Sequence, residues 1–317
     1  MNIIWLKRDL RLNDNEALFE GSKKDNIVIY IFEPSVSFNY DWDIRHWRFV
    51  YQSLKSLEAR GLKIHYLYGE AQPIFQSLES IYSGLEVYSH NETGNDLTYR
   101  RDIELKSFFE TKDITWNEYQ HNLVIRGMKE ISGWDAKWIK RVKSQLYTPP
   151  SQEKTLLNQE IENHFSLPGD LIKEFENHPP LMLLGGEDKA EEMLKDFLTN
   201  KIEQYWGSIS YPDKSKYYSS LLSSYISWGN LSIRQIYQEC EKYKPTIRNK
   251  ISLEQFMARL KWHCHFIQKL EREPEIEFKN MNAAFDNIRQ KKNKKFIKAW
   301  KTGQTGYPLI DAAMRCV

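Results

Sequence analysis

The chain has 317 residues, and 45 Lys+Arg against 43 Asp+Glu leave a formal net charge of +2. This length admits two domains, and so even a charge balance confines any nucleic-acid affinity to a local basic patch. Three cysteines, Cys240, Cys264 and Cys316, are too few and too scattered for a disulfide framework or a four-cysteine iron–sulfur cluster. No apolar run reaches membrane-spanning length and no signal peptide precedes the first strand, so a soluble, cytoplasmic protein is expected.

In chain order, Asn2–Leu6, Asn26–Phe32, Lys63–Tyr68, Leu85–Ser89 and Ile114–Glu118 are short runs rich in β-formers. Helix-length segments separate them, such as Arg45–Arg60 with apolar residues at Trp47, Val50, Tyr51, Leu54 and Leu57. The alternation predicts a doubly wound parallel α/β sheet over residues 1–128. No G-x-G-x-x-G follows the first strand, so a Rossmann-type clasp is not indicated. Between 129 and 189, Thr148-Pro149-Pro150-Ser151, Leu167-Pro168-Gly169 and His178-Pro179-Pro180 interrupt the pattern, as in an interdomain connector. Residues 190–317 then read as all-helical, with spacing that predicts helices over Glu191–Tyr205, Ile233–Tyr243, Leu253–Leu270 and Ala283–Trp300.

Four stretches carry more than periodicity. Residues 4–18 read Ile-Trp-Leu-Lys-Arg-Asp-Leu-Arg-Leu-Asn-Asp-Asn-Glu-Ala-Leu. After that first strand, Asp9, Arg11 and Asp14 are expected to tie the loop to neighbouring elements. Residues 219–234 read Ser-Ser-Leu-Leu-Ser-Ser-Tyr-Ile-Ser-Trp-Gly-Asn-Leu-Ser-Ile-Arg. Here a helix stops at Gly229, and Asn230 or Ser232 is placed to cap the next one. Hydroxyls and free N–H groups beside helix starts suit phosphate oxygens, although most such turns are only solvated caps. Residues 259–266, Arg-Leu-Lys-Trp-His-Cys-His-Phe, lie on a predicted helix with Phe256, Leu260, His263 and Ile267 on one face. Zinc is not expected at His263-Cys264-His265, because adjacent helical residues point in different directions. The fourth stretch is Trp300-Lys-Thr-Gly-Gln-Thr-Gly-Tyr-Pro-Leu-Ile-Asp-Ala-Ala-Met-Arg315.

Together these blocks resemble the photolyase/cryptochrome family of FAD-containing blue-light proteins. That family writes them approximately as W-x-R-R-D-L-R-x-x-D-N-x-A-L, T-S-x-L-S-P-x-L-x-x-G-x-x-S-x-R, W-R-E-F and G-x-T-G-x-P-x-x-D-A-x-M-R. The resemblance implies that the α/β domain is followed by a helical FAD-binding domain, incomplete at its C-terminus. It places the FAD pyrophosphate on Ser219, Ser220, Leu221, Leu222 and Ser223, with Tyr205 as an upstream cofactor contact. It also turns Arg259 and His263 toward the cofactor site and Trp262 toward a flipped base in DNA. Lys291, Lys292, Lys294 and Lys295, in the densest basic run, become a phosphate-contacting edge. Two departures stand out. Leu221 replaces a common arginine, and Arg259 stands where photolyases carry a lesion-contacting glutamate.

The implied activity is DNA photolyase: repair of pyrimidine dimers with reduced FAD, in a protein that is monomeric when intact. An antenna chromophore of unspecified identity is also possible. A cryptochrome-like light sensor without repair is the alternative that Arg259 favours. A chain without cofactor, acting as an interaction module, is a third. No catalytic residue is named from the sequence, and no metal is expected.

Overall fold

The computed structural model describes the chain except residues 38, 40, 41, 129, 151–156, 181, 287, 289–291 and 317, and except the side chain of Cys316. Two compact units result, Met1–Pro274 and Glu275–Val317.

Five parallel strands, β1 (Asn2–Leu6), β2 (Asn26–Phe32), β3 (His65–Tyr68), β4 (Glu86–His90) and β5 (Thr115–Tyr119), form one sheet in the order β3-β2-β1-β4-β5. Every residue of β1 and β2 is buried, as in a sheet covered on both faces. Alternation sorts their side chains. Ile3, Trp5, Ile27, Ile29 and Ile31 face one core, while Ile4, Leu6, Val28, Tyr30 and Phe32 face the other.

Helices α1 (Glu16–Gly21) and α2 (Ile44–Ala59) pack on the second of these faces through Leu18, Trp47, Val50, Leu54 and Leu57. Helices α3 (Ala71–Ile81) and α4 (Asp96–Thr111) cover the first with Ile74, Phe75, Leu78, Leu105 and Phe109. The doubly wound α/β expectation is met. The last three strands begin one or two residues later than the hydrophobic runs, since Ile64, Leu85 and Ile114 are buried ahead of the ladder.

The connector supplies α5 (Trp134–Val142) and α6 (Gly169–Glu176). It runs along the α/β core: Phe175 stacks on Phe32 with ring centroids 5.3 Å apart, and the Tyr68 N–H donates to the Phe165 carbonyl at 2.7 Å. Next come α7 (Glu187–Asp196), a π-turn (Phe197–Lys201), α8 (Ile202–Ser208), α9 (Pro212–Tyr218), α10 (Ser223–Ser227), α11 (Ile233–Tyr243) and α12 (Lys250–Arg272). Their apolar faces continue the core that lies over α1 and α2, with Tyr225, Trp228, Ile236, Leu253 and Phe256 all buried in it.

The first loop and the Gly229 turn lock together. Asn15 caps α1 by accepting from the Leu18 N–H (2.9 Å), and its amide donates to the Asp9 and Arg11 carbonyls at 3.0 and 3.2 Å. Arg11 donates to the Gly229 carbonyl (3.0 Å), and Leu10 N–H to the Trp228 carbonyl (3.1 Å). Asn230 returns a bond to the Leu10 carbonyl at 3.0 Å. Glycine is required at 229: φ is +69°, and a Cβ would lie 2.0 Å from the Arg8 carbonyl oxygen. Asp14 accepts from Ser232 Oγ (2.5 Å) and Arg234 Nε (2.9 Å), and Arg234 Nη2 closes a bidentate pair. Ser232 is the cap of α11, in a capping box with Gln235. Asp9, Arg11 and Asp14 therefore act as ties, as expected from their position.

A titration effect follows from this junction. Asp9 is fully buried against His90 Nδ1 (2.7 Å), and the His121 ring lies 6.0 Å from that of His90. Burial would raise the Asp9 pKa, but His90, Arg11 and the Lys7 N–H outweigh it and hold it at about 2. Burial, aided by the charges of His90 and Arg11, holds His121 well below the ordinary histidine value, with Asp9 opposing. The folded chain thus keeps His121 neutral while the unfolded chain protonates it near pH 6.5. The His121 contribution to stability is therefore constant above about pH 7 and falls below about pH 6.5, by up to about 1.4 kcal/mol per pH unit. The Asp9 contribution disappears only as pH falls from about 4 toward 2. Urea unfolding at pH 7.5 and 5.0 checks this, with the loss over that range smaller in His121→Gln than in the wild type.

The second unit holds a 3₁₀ turn (Ala283–Phe285), α13 (Lys294–Lys301) and α14 (Pro308–Cys316). The single helix expected over Ala283–Trp300 is not formed. Asn282 caps the short turn and Asn293 starts a separate helix by accepting from the Lys295 and Phe296 N–H groups. Apolar spacing alone bridges these two local caps. Asp311 accepts from Thr305 N–H (2.7 Å), Thr305 Oγ1 (2.5 Å) and Gly306 N–H (3.0 Å), which fixes the turn entering α14.

Candidate cofactor site

Ser219 caps helix α9, its N–H donating to the Ser215 carbonyl at 3.0 Å. The chain then turns sharply. Leu221 has φ +53°, and Leu222 follows at φ −86°, ψ −5°. Backbone turning through opposite hands in succession makes its N–H groups converge, an anion-binding concavity. Among the described residues, the N–H groups of Ser220, Leu221 and Ser223 donate to no protein acceptor, while Leu222 N lies 3.5 Å from Ser220 Oγ.

A leucine in the left-handed region costs about 1–2 kcal/mol, so the surroundings must impose it. They do so on the C-terminal side, where Leu222 is buried and Tyr225 is anchored by its OH donating to the Leu184 carbonyl at 2.8 Å. Leu221 itself is 49% exposed.

Helix α9 packs on α8, and α8 runs along α12. Two sets of bonds set that second packing. The Glu203 carboxylate accepts from the Arg248 and Asn249 N–H groups (2.7 and 2.8 Å), and the Trp206 N–H donates to Ser252 Oγ (2.9 Å). Asn249 caps α12 by accepting from the Ser252 N–H at 3.1 Å, which starts the helix three residues before the apolar pattern does.

Tyr205 lies near Arg259 along this seam, Arg259 stacks on Trp262, and His263 follows on the same helix. Tyr205 is buried, its ring 5.5 Å from Phe197 and 5.6 Å from Phe256. Burial raises its phenol pKa and the nearby Arg259 charge opposes the rise. The Arg259 guanidinium lies 4.8 Å over the Trp262 ring, a cation–π contact. Trp262 is 52% exposed and Phe266, one turn on, 59%. His263 is half-buried, and its Nε2 is shielded from solvent without a hydrogen-bond partner. Burial lowers the His263 pKa, so the ring is neutral at pH 7. The Cys264 thiol is buried and pushed up to about 12 by that burial, which leaves it unreactive.

The structure thus places Arg259, Trp262 and His263 on α12, with Tyr205 packed on Phe256 of that helix and Ser219–Ser223 at the end of the helix packed on α8. Lys292, Lys294 and Lys295 are exposed in the second unit, where Lys294 and Lys295 open α13. Lys291 lies outside the described residues. Among the described residues no group of three or more His, Cys, Asp or Glu is placed to hold a metal ion. No helix among them is long and apolar enough to cross a membrane.

Two features are not visible in the linear pattern. Leucine gives no hint of a positive φ at 221. Glu187, which is fully buried, accepts from the N–H groups of Leu12 (2.8 Å) and Asn13 (3.1 Å) and from Arg60 (2.6 Å). The Gly185-Gly186 pair before it is the available signal: a Cβ on Gly185 would sit 2.1 Å from the Phe49 carbonyl oxygen, so the chain passes α2 backbone to backbone.

Residues 2–142 match the DNA photolyase family, and residues 256–317 match the FAD binding domain of DNA photolyase. The chain belongs to the photolyase/cryptochrome family. A deoxyribodipyrimidine photo-lyase of Agrobacterium fabrum is 26% identical over 99% of this chain and 68% of its own length. A cryptochrome DASH of Solanum lycopersicum is 21% identical over 99% of this chain and 61% of its own. In fold, a bacterial class III photolyase from Agrobacterium tumefaciens superposes with a TM-score of 0.77 at 23% identity, covering 99% of this chain and 68% of that one. A Synechocystis cryptochrome gives 0.75 at 21% identity, covering 99% and 70%. The α/β sheet followed by a helical region is the architecture of these photolyase/cryptochrome relatives, and the family's FAD-binding domain is present from residue 256.

Proposed function

We propose that this photolyase/cryptochrome chain binds FAD with the pyrophosphate on the Ser219–Ser223 turn and serves light-dependent repair of pyrimidine dimers in DNA. The observation that carries the reading is the set of unpartnered N–H groups at Ser220, Leu221 and Ser223, curled by the positive φ of Leu221. Those N–H groups, with the Ser219, Ser220 and Ser223 hydroxyls, suit a dianionic diphosphate, and no carboxylate of the turn opposes it. The orphaned Nε2 of His263 is a second fit, since a bound ring would offer it the partner the protein does not.

Bound FAD would supply the one-electron redox chemistry. The protein's share is binding and electrostatics. The cradle holds the negative charge of the cofactor, and the Tyr205–Phe197–Phe256 cluster supports α8 and α12 behind it. Arg259 places a fixed positive charge beside Trp262. The exposed indole offers a face on which an extrahelical base can stack. Lys291, Lys292, Lys294 and Lys295 would meet backbone phosphates without reading sequence.

Blue-light illumination of the FAD-loaded chain with dimer-containing DNA should remove dimers, and darkness should not. Glutamate at all four lysines should weaken DNA binding and flatten its salt dependence by about 0.9 in log–log slope for each phosphate no longer neutralised. A light sensor without repair is the second reading, and Arg259 favours it, because its guanidinium occupies one face of the Trp262 indole and leaves a base only the other. FAD binding with no light-dependent loss of dimers would select that reading.

A further inference from the structure

We infer that a cavity of about 450 Å³ between the connector and helices α7 and α11 binds a planar aromatic cation, a ring carrying an amine or amidinium group. The site stands apart from the flavin reading and does not depend on it. Its volume is within the range of small-molecule pockets.

Leu194, Leu198 and Leu231 are buried side chains that give the cavity an apolar floor. Two rings, Tyr147 and Tyr243, also line it. Tyr147 is held in place by its OH donating to Glu16 and by the Arg234 guanidinium 5.3 Å over its ring. A flat ligand therefore meets aromatic and aliphatic surface in one place.

The polar groups are selective. Two carboxylates, Glu191 and Glu239, line the cavity against one ammonium, Lys195. Glu239 is paired with Lys242, whereas Glu191 accepts no hydrogen bond and forms no ion pair among the described residues. Glu191 is exposed on α7 and lies at the rim, within reach of a ligand. Glu187 and Asp188, one turn earlier, already share Arg60. The rim thus carries one carboxylate without a partner among the described residues, Glu191, in the same cavity as the Lys195 ammonium and over an apolar floor. An amidinium answers Glu191 with two parallel N–H donors to one carboxylate. Gln235 sharpens the match: its Oε1 is committed to the Ser232 N–H at 2.7 Å, which leaves its Nε2 as a spare donor for a ring heteroatom.

Benzamidine is the probe, with neutral benzamide as its isostere, titrated by calorimetry into the full chain at pH 7. Saturable benzamidine binding, at least about tenfold weaker for benzamide, supports the site. Glu191→Gln should weaken benzamidine about tenfold with an unchanged melting temperature, and Leu198→Phe should block it by filling the floor. Glu239→Gln, away from the buried core, gives a second reading should Leu198→Phe fail to fold. Absence of saturable binding, equal affinity for benzamide, or binding untouched by Glu191→Gln and Glu239→Gln together would overturn the proposal. Displacement of benzamidine by FAD would also overturn it, by placing the probe in the flavin site.

Discussion

Arg234→Ala is expected to destabilise Met1–Pro274 by about 3–5 kcal/mol, the cost of leaving one member of a buried ion pair alone. Arg234 and Asp14 are both buried and bonded through two guanidinium nitrogens. Arg234 also donates to Ser144 Oγ at 2.9 Å, and Asp14 also receives Ser232 Oγ, so one deletion strands several groups. Burial works against the charged carboxylate, but the Arg234 bond and the Arg11 charge keep the Asp14 pKa below its ordinary value. Without Arg234 the remaining aspartate keeps the Ser232 hydroxyl and the Arg11 charge but loses its bidentate partner. The double variant Asp14→Ala/Arg234→Ala should cost clearly less than the sum of the two single changes, because it removes both charges. Urea unfolding midpoints of the four proteins measure this coupling, and additivity would show that the pair does not join the first loop to α11.

Phe197→Ala is expected to cost about 3–5 kcal/mol as well, for a different reason. Phe197 is fully buried at the start of the π-turn between α7 and α8, with its ring 4.6 Å from Phe256 and 5.5 Å from Tyr205. Short π-helical insertions recur at functional sites because they re-aim the side chains that follow. Truncating the ring opens a cavity between α8 and α12, directly behind Tyr205 and Arg259. Flavin affinity should therefore fall together with stability, whereas Arg234→Ala, at the other junction, should lower stability with a smaller effect on flavin. Equal flavin affinity in the wild type and Phe197→Ala, at a temperature where both are folded, would separate the aromatic cluster from the site.

Much of the fold is legible in the sequence because local chemistry and tertiary context agree there. The limits of β1, β2 and α11 match the hydrophobic runs and the Ser232 cap residue for residue. Asp9, Arg11 and Asp14 announce ties because charged residues so dense beside a strand end must find partners when buried. Other features depend on partners that a linear pattern does not display. The start of α12 is set by Asn249, whose own N–H is held by Glu203, 46 residues earlier. The break before α13 comes from Asn293 acting as a cap inside a lysine-rich run that reads as helix. The stack of Arg259 on Trp262 is permitted by i,i+3 spacing on a helix, yet spacing alone does not single it out. Least visible is Leu221, whose left-handed backbone shapes the cradle while its identity suggests nothing unusual.

The most direct measurement is a fluorescence titration of the purified chain with FAD and, separately, with riboflavin, which shares the ring but has no pyrophosphate. The account predicts saturable binding of FAD, affinity for riboflavin at least about tenfold weaker, and loss of that preference in Leu221→Pro, which removes one cradle N–H and forbids the positive φ. Equal affinity for the two flavins, or FAD binding unaltered in Leu221→Pro, would contradict a pyrophosphate seat at Ser219–Ser223.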